Sequence, residues 1–578
     1  MKRKLSLLLA VVMMFSIALA GCGKKATDSN SDASQGQQTD AKEDKKEDKQ
    51  EKKVDNPASK RANAKDTLII GMTEAKGELL PVYYSTKYDA FIVQLVFDGL
   101  MTNNEAAEIV PHVAKEYKVS DDHLTYTFTL RDDVKFSDGT PLTAKDVAFT
   151  YTLLADPSYD GRYKSVVREM VGYKEYSEGD ATELAGIKVE DDHTISFTFT
   201  EAKADNITKF DMGIMPEHHY AIEKGNIQAI KDKMQAFDLV GSGAYKFKKF
   251  EPKQFVELEA NPDHFRGEPK IKNLITKFTT AETSLQELAA GSIDVQLQVP
   301  SNNDNLSQIE APGYLDIAKY PANSYGFMMF NVRDERLADV KVRQALVYGF
   351  DRAGFIDLYY DGNASVLNTP LSKVSWAYSD DINSYEFDPE KAKALLEEAG
   401  WKVGADGIRE KDGKKLSFVW DTYTESKYVD TLIPLLQADW AEIGVKVEPN
   451  LMDFNAMVDK VFTQQDFEMT NLAWSLTIDP GSNYTTFHSS ADEPDGNNAG
   501  GLRDPEIDRL LEAGSKEFDF EKRKAIYQEF GKRMNELVPY MFLNQGDQWD
   551  VYNQRVKNFK ATSFCDWTYY ILDMELVD

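Results

Sequence analysis

Cysteine is almost absent from this chain: Cys22 and Cys565 are the only two in 578 residues. A disulfide framework of the kind that staples small secreted domains is excluded. Stability must come from a large apolar core, which about 500 residues can bury. Histidine is scarce as well, with seven scattered residues. The one adjacent pair, His218-His219, sits beside Glu217 after Pro216; three such neighbours cannot all face one ion in regular structure, so loop residues are expected there and no metal site. Catalytic motifs are missing too: there is no Gly-x-Ser-x-Gly, no His-Glu-x-x-His and no Gly-x-Gly-x-x-Gly, and Gly407 to Lys414 has the wrong spacing for a phosphate loop. Nothing supports an enzyme, and no cofactor is implied. Past the N-terminal segment no apolar run approaches the roughly 20 residues of a membrane helix, and no internal repeat recurs.

Basic charge is in deficit: residues 66–578 carry 53 basic and 87 acidic side chains, a net charge near −34. Nucleic acid is thereby a poor partner, because phosphate contacts need clustered Lys and Arg. Anionic solutes are poorer candidates than neutral or cationic ones, although acidity also serves simply to keep an exported protein soluble. Large apolar side chains are nearly missing from residues 23–65, which are rich in Lys, Glu, Asp, Gln and Ser. Such a segment cannot bury enough surface to order itself, so residues 22–65 are expected to be a flexible tether. Ahead of it, Lys2, Arg3 and Lys4 precede a largely apolar run over 5–20 and then Leu19-Ala20-Gly21-Cys22. A short apolar core with a basic start and small residues at the cut is an export signal over 1–21, not a membrane span. The Leu-Ala-Gly-Cys ending resembles a lipobox, which implies that Cys22 is diacylated on sulphur and holds the mature chain at the outer face of a membrane. Cys565 is then left without a partner.

Folded character begins after Lys65. Thr67-Leu68-Ile69-Ile70-Gly71 reads as a buried strand and residues 91–97 as a buried helix. Residues 123–131 alternate, placing Leu124, Tyr126, Phe128 and Leu130 on one face and threonines on the other, a half-buried strand. Thr143 stands as an N-cap with Asp146 in the capping-box place. A second alternating strand covers 194–200, and a hairpin is expected from 241 to 258. From Val340 helices dominate, the clearest at 388–400, where Asp388 caps, Pro389 occupies the first turn and Gly400 ends the helix. Strands over 416–420 and 445–448 flank a helix over 431–443. Strands alternating with helices indicate an α/β fold.

Several of these segments occur together in an order that resembles the extracellular solute-binding proteins of peptide and nickel ABC importers. They include Phe97-Asp98-Gly99-Leu100, Val110-Pro111, Tyr126-Thr-Phe-Thr-Leu-Arg131, Asp138-Gly139, Leu142-Thr-Ala-Lys-Asp-Val147, Gly241-Ser-Gly-Ala-Tyr-Lys-Phe247, Val342-Arg-Gln-Ala-Leu346, Ile443-Gly-Val445 and Val538-Pro-Tyr540. The resemblance covers 66–578. It implies an α/β two-lobed clamp of the periplasmic-binding-protein type: lobe one from 66–320 with 540–578, carrying an inserted subdomain at about 109–236, and lobe two from 321–539. The chain would cross between lobes near 320–331 and 537–548. A ligand gripped by both faces would stabilise the closed state, and an ABC permease would receive it from a monomeric receptor on the outer face of the cell membrane or the periplasmic side of a membrane.

By position in the family pattern, the ligand-facing residues are Ser85, Thr86, Tyr163, Asn323, Tyr325, Trp474 and Tyr484. Peptide binders of this type often read Trp-x-Ala-Asp-Tyr-x-Asp-Pro, whose first aspartate pairs with the ligand amine. This chain reads Trp474-Ser-Leu-Thr-Ile-Asp-Pro480: it is one residue shorter, Thr477 stands at the aspartate's place, and Asp479 is the remaining candidate anion. Peptide is the leading ligand. A nickel or metal chelate is the alternative, because the family includes it, and an oligosaccharide follows, because Trp376, Trp420, Trp474 and Tyr484 could stack on sugars. A secreted enzyme or extracellular chaperone is a remote alternative.

Overall fold

The computed structural model describes residues 55–577. Its backbone is one long mixed sheet with helices on both faces. The strand Thr67–Met72 pairs in parallel with Asn273–Phe278 and with Val295–Val299. A strand flanked on both edges and covered on both faces must be apolar throughout, and five of its six residues are buried. The alternating segment forms the strand Thr125–Leu130, with Tyr126, Phe128 and Leu130 at most 3% exposed. It lies in a separate four-stranded sheet with Ala114–Val119, Thr194–Thr198 and Ile187–Asp191. Thr143 and Asp146 make the reciprocal capping box of the helix Ala144–Leu153, and Asp388 accepts from the Lys391 amide to start Pro389–Glu398. Gly400 follows at φ +90°, a left-handed turn that a side chain would strain.

One strand organises the rest. Tyr540–Asn553 runs for 14 residues; its first part pairs with Ser324–Phe330 and its second with Val295–Val299 and Leu315–Pro321. Period-two geometry sends its successive side chains to opposite faces. Tyr540 and Phe542 join one core with Tyr325, Phe327, Met329, Tyr527 and Phe530. Met541 and Leu543 join another with Met328, Phe330, Trp420, Leu436 and Trp440. Further along, Trp549 and Val551 pack with Leu288, Ile293 and Ile309. A separate large core, from Leu68 to Leu297 and closed by Trp567 and Ile571 of the C-terminal tail, includes Phe91, Phe128, Tyr151 and Phe210. The molecule thus has two bodies of core, and the chain passes between them at 321–324 and 544–547, side by side: the Ala322 amide donates to Gly546 O at 2.9 Å. Gln545 Nε2 donates to Ala322 O at 2.7 Å, and the Lys373 amide donates to Gln545 Oε1 at 2.8 Å.

The fold starts earlier than the composition suggests. Residues 55–65, expected to belong to the tether, are docked: Ala58 and Ala64 are 0% and 3% exposed, and Asn56 Nδ2 donates to Asn553 Oδ1 at 2.6 Å. Arg61 Nη2 and Arg555 Nη1 reach the two oxygens of Asp294 at 2.5 and 2.7 Å. Two alanines, one asparagine and one arginine, unremarkable in a polar stretch, seat this segment against Asp294 and the C-terminal tail. The signal segment, Cys22 and the tether up to residue 54 lie outside the described residues. Among the described residues, no helix is long and apolar enough to cross a membrane, and Cys565 is free and buried.

Candidate functional site

The residues expected to face a ligand fall into two groups: Tyr163 packs on the core that holds Phe91 and Phe128, and Trp474 and Tyr484 pack on the one that holds Tyr325. On the second body, the strand Met469–Ser475 pairs with Ser324–Phe330, setting Trp474 opposite Tyr325 and Ser475 opposite Ser324. The chain then leaves the sheet as Leu476 to Asp479. Asn323 staples this loop: its Nδ2 donates to Leu476 O and Thr477 O, both at 3.1 Å, and its Oδ1 accepts from Ser372 Oγ at 2.6 Å. Thr477 is exposed, and its hydroxyl donates to Asp479 O at 2.7 Å.

Asp479 is not a free anion, which corrects the expectation placed on it. Arg523 grips it with two parallel bonds, Nη1 to Oδ2 at 2.5 Å and Nη2 to Oδ1 at 2.7 Å, and the Gly481 amide donates to Oδ1 at 2.7 Å. Burial works against the Arg523 charge, but the Asp479 carboxylate more than offsets it and holds the guanidinium above its usual range. A fork-to-fork pair of this kind leaves little lone-pair capacity for a ligand amine. Arg523 was missed in the sequence, yet a signal existed. It shares a helical stripe with Tyr527, Phe530 and Met534, and a cation on a buried stripe demands an anion.

Tyr325 is also corrected. It is 1% exposed and packs against Phe327 and Phe542 at ring separations of 5.5 and 5.4 Å, because both faces of its strand are covered by core. Trp474 is half-buried, near-parallel to Phe327 at 6.1 Å. Its indole N–H is enclosed and meets no acceptor among the described residues. Tyr484 stacks on His488 at 4.2 Å. Trp420, offered for sugar stacking, is 0% exposed and donates to Asn471 Oδ1 at 2.9 Å; Trp376 lies against Phe520, Tyr527 and Arg523.

The wall of the first body is a zipper of tyrosines. Tyr163 donates to Tyr84 O at 2.9 Å and its ring lies 5.1 Å from that of Tyr84; Tyr83 and Tyr159 pair at 5.5 Å. Burial pushes the Tyr84 and Tyr163 hydroxyls up from their usual value, so both are neutral donors. Ser85 donates to Glu78 Oε2 at 2.5 Å and accepts from Lys76 Nζ at 2.9 Å. Thr86 caps the helix Lys87–Val96, accepting from the Asp89 amide at 3.1 Å and donating to the Asp89 carboxylate. The helix therefore starts at Lys87, a turn before the apolar run that marks it in the sequence. The adjacent histidines lie on the short helix Glu217–Tyr220, not in a loop, and meet different carboxylates, His218 Nε2 at 2.7 Å from Asp138 and His219 Nε2 at 3.3 Å from Asp238.

Cores on either side of two adjacent crossing segments, built on a mixed sheet with helices, make a two-lobed fold of the α/β class. The chain belongs to the bacterial extracellular solute-binding proteins, family 5, whose middle-region model matches residues 108–495. It is 28% identical over 552 residues to the oligopeptide-binding protein AppA of Bacillus subtilis, covering 94% of this chain and 93% of that one. Against the solved AppA structure in complex with a nonapeptide the TM-score is 0.70 at 27% identity, over 89% of this chain and all of AppA. NikZ from Campylobacter jejuni in complex with Ni(L-His) gives 0.70 at 28% identity, over 88% and 99%. The chain is a solute-binding protein of ABC transport, not an enzyme.

Proposed function

We propose that this receptor captures peptides between its lobes, outside the cell, and hands them to an ABC permease while tethered to the membrane through a lipid on Cys22. The observation that carries the peptide reading is the similarity along nearly the whole chain to AppA, which was solved with a nonapeptide. In this reading the first lobe is 55–320 with about 548–578 and the second about 325–543: residues 540–543, assigned to the first lobe from the sequence, pack in the cores of the second. Asn323, Thr477 and Tyr484 line one wall, with Trp474. Ser85, Thr86 and Tyr163 line the other. Extended peptides suit such walls because backbone groups can be met by hydrogen bonds while side chains remain in water.

One observation favours a second reading, a metal chelate. Thr477 replaces the amine-binding aspartate and Asp479 is held by Arg523, so a free N-terminus lacks its usual partner, and NikZ with Ni(L-His) is equally similar. Native mass spectrometry of protein purified without added ligand, followed by release and sequencing, decides between them. A ladder of peptides supports the first reading; a bound metal with small organic ligands supports the second. The anchor is tested separately, since Cys22→Ser should leave the protein uncleaved or release it to the medium, whereas unchanged membrane retention would remove the lipid.

A further inference from the structure

The two lobes meet at the mouth of the clamp, far along the chain from the crossing strands. The short helix Ala204–Phe210 of the first lobe packs on Pro505–Lys516 of the second. The tip of the hairpin at His123 stacks on Phe518, ring centres 3.7 Å apart and nearly parallel at 10°. Asp205 enters the same contact. A Cβ built on Gly481 would lie 3.4 Å from Asp205 Oδ2, 3.4 Å from Arg523 Nη2 and 2.8 Å from Asp479 Oδ1, so one glycine sits where a carboxylate of one lobe and the ion pair of the other converge.

Among the described residues no cation pairs with this carboxylate, although the charges of Lys209 and Arg523 reach it and partly offset its burial. Arg523 is gripped by Asp479, and Lys203 and Lys209 of Asp205's own lobe both turn to Glu169. Asp205 Oδ1 is enclosed and accepts from no donor among the described residues. Tyr126 and Tyr527, both neutral phenols, also face it. A second anion beside an already paired guanidinium is an unfavourable arrangement that a proton relieves.

We propose that Asp205 makes the mouth a proton-linked latch, which closes on the Arg523–Asp479 pair most firmly when Asp205 is protonated. Burial, then the Asp479 charge, raises its carboxyl above the ordinary 3.8 in the closed form. Closure therefore takes up a proton, so the closed state is favoured as pH falls toward the carboxylate range and loses that advantage as pH rises. A receptor working in an acidified medium would hold its solute longer than one at neutral pH.

The test needs no solute, so its outcome is independent of whether the ligand is a peptide. Spin labels at Glu190→Cys and Glu448→Cys, in full-length protein carrying Cys22→Ser, report the distance between lobes across pH 4–8. Wild type should gain closed population as pH falls. Asp205→Asn should be closed to a roughly fivefold greater ratio at pH 7, the low end for linked equilibria, and should lose the pH dependence. Phe518→Ala should lower closure at every pH and keep the slope. A wild type whose closure does not vary with pH, or an Asp205→Asn protein with the wild-type slope, overturns the latch.

Discussion

Two places in the molecule set arginine and aspartate together away from water, with opposite arithmetic. At the base, Asp294 sits between two cations: Arg61 and Arg555 bind its two oxygens, the Ile69 amide adds a bond at 2.9 Å, and the carboxylate is 0% exposed. At the mouth, Arg523 sits between two anions, one paired and one not. The first joins the N-terminal segment to the C-terminal tail within one lobe; the second lies where the two lobes meet. On the latch reading, a group that stays buried can be over-satisfied, while one exposed at each opening is better left near balance.

The largest effect should come from the base. Asp294→Ala strands two guanidinium groups, one of them 2% exposed, and breaking a buried pair from one side costs about 3–5 kcal/mol. Guanidinium chloride denaturation should show that loss. A change within about 0.5 kcal/mol, the size of an ordinary surface substitution, would break the contrast with the mouth.

Asp550 grades the comparison, being an aspartate with neutral donors only. It is 2% exposed, and it accepts from the Gln298 amide at 2.8 Å and from Tyr320 Oη at 3.1 Å. Burial raises its carboxyl from 3.8 to about 6. A carboxyl raised by folding contributes stability that is complete below its unfolded value and is lost as pH rises through the folded one. Wild type should therefore weaken between about pH 4 and pH 7, by up to ~3 kcal/mol. Asp550→Asn should flatten that part of the profile in thermal melts taken across the range; parallel profiles would show that Asp550 is ionised throughout.

Arg523→Leu removes the cation at the mouth. Because Asp479 is 17% exposed, water can take over part of its solvation, and the expected loss is about 1–3 kcal/mol, the desolvation cost of one unmet group. A loss as large as that of Asp294→Ala would mean that the mouth is as permanent as the base.

What the sequence carried and what it hid divide along the same line. The capping box at Thr143, the punctuated helix after Asp388 and the alternating strand through Phe128 are local, each readable within ten residues, and all three form. The order of motifs pointed to the clamp. Tyr325 was misread because nothing local to its strand reveals that both faces are covered until the partner strands and helices are known. Asp479 was misread because its partner lies 44 residues away. Residues 55–65 looked like tether because docking through two alanines, an asparagine and an arginine leaves no apolar signature. Site residues here are fixed by long-range pairings, and spacing alone does not encode them.

Thr86 gives the smallest and most discriminating test of the walls. Its hydroxyl caps the helix Lys87–Val96, and losing such a cap costs typically about 1 kcal/mol. Thr86→Ala should lower stability by that amount, and Thr86→Ser should restore it, since serine caps as well as threonine. If Thr86 faces the solute only through this hydroxyl, which Asp89 already engages, the serine variant should bind as wild type does in isothermal titration with a co-purified ligand. A serine variant of full stability but weakened binding would instead put the threonine methyl against the solute, making this wall, like the mouth, a surface that is completed only on closure.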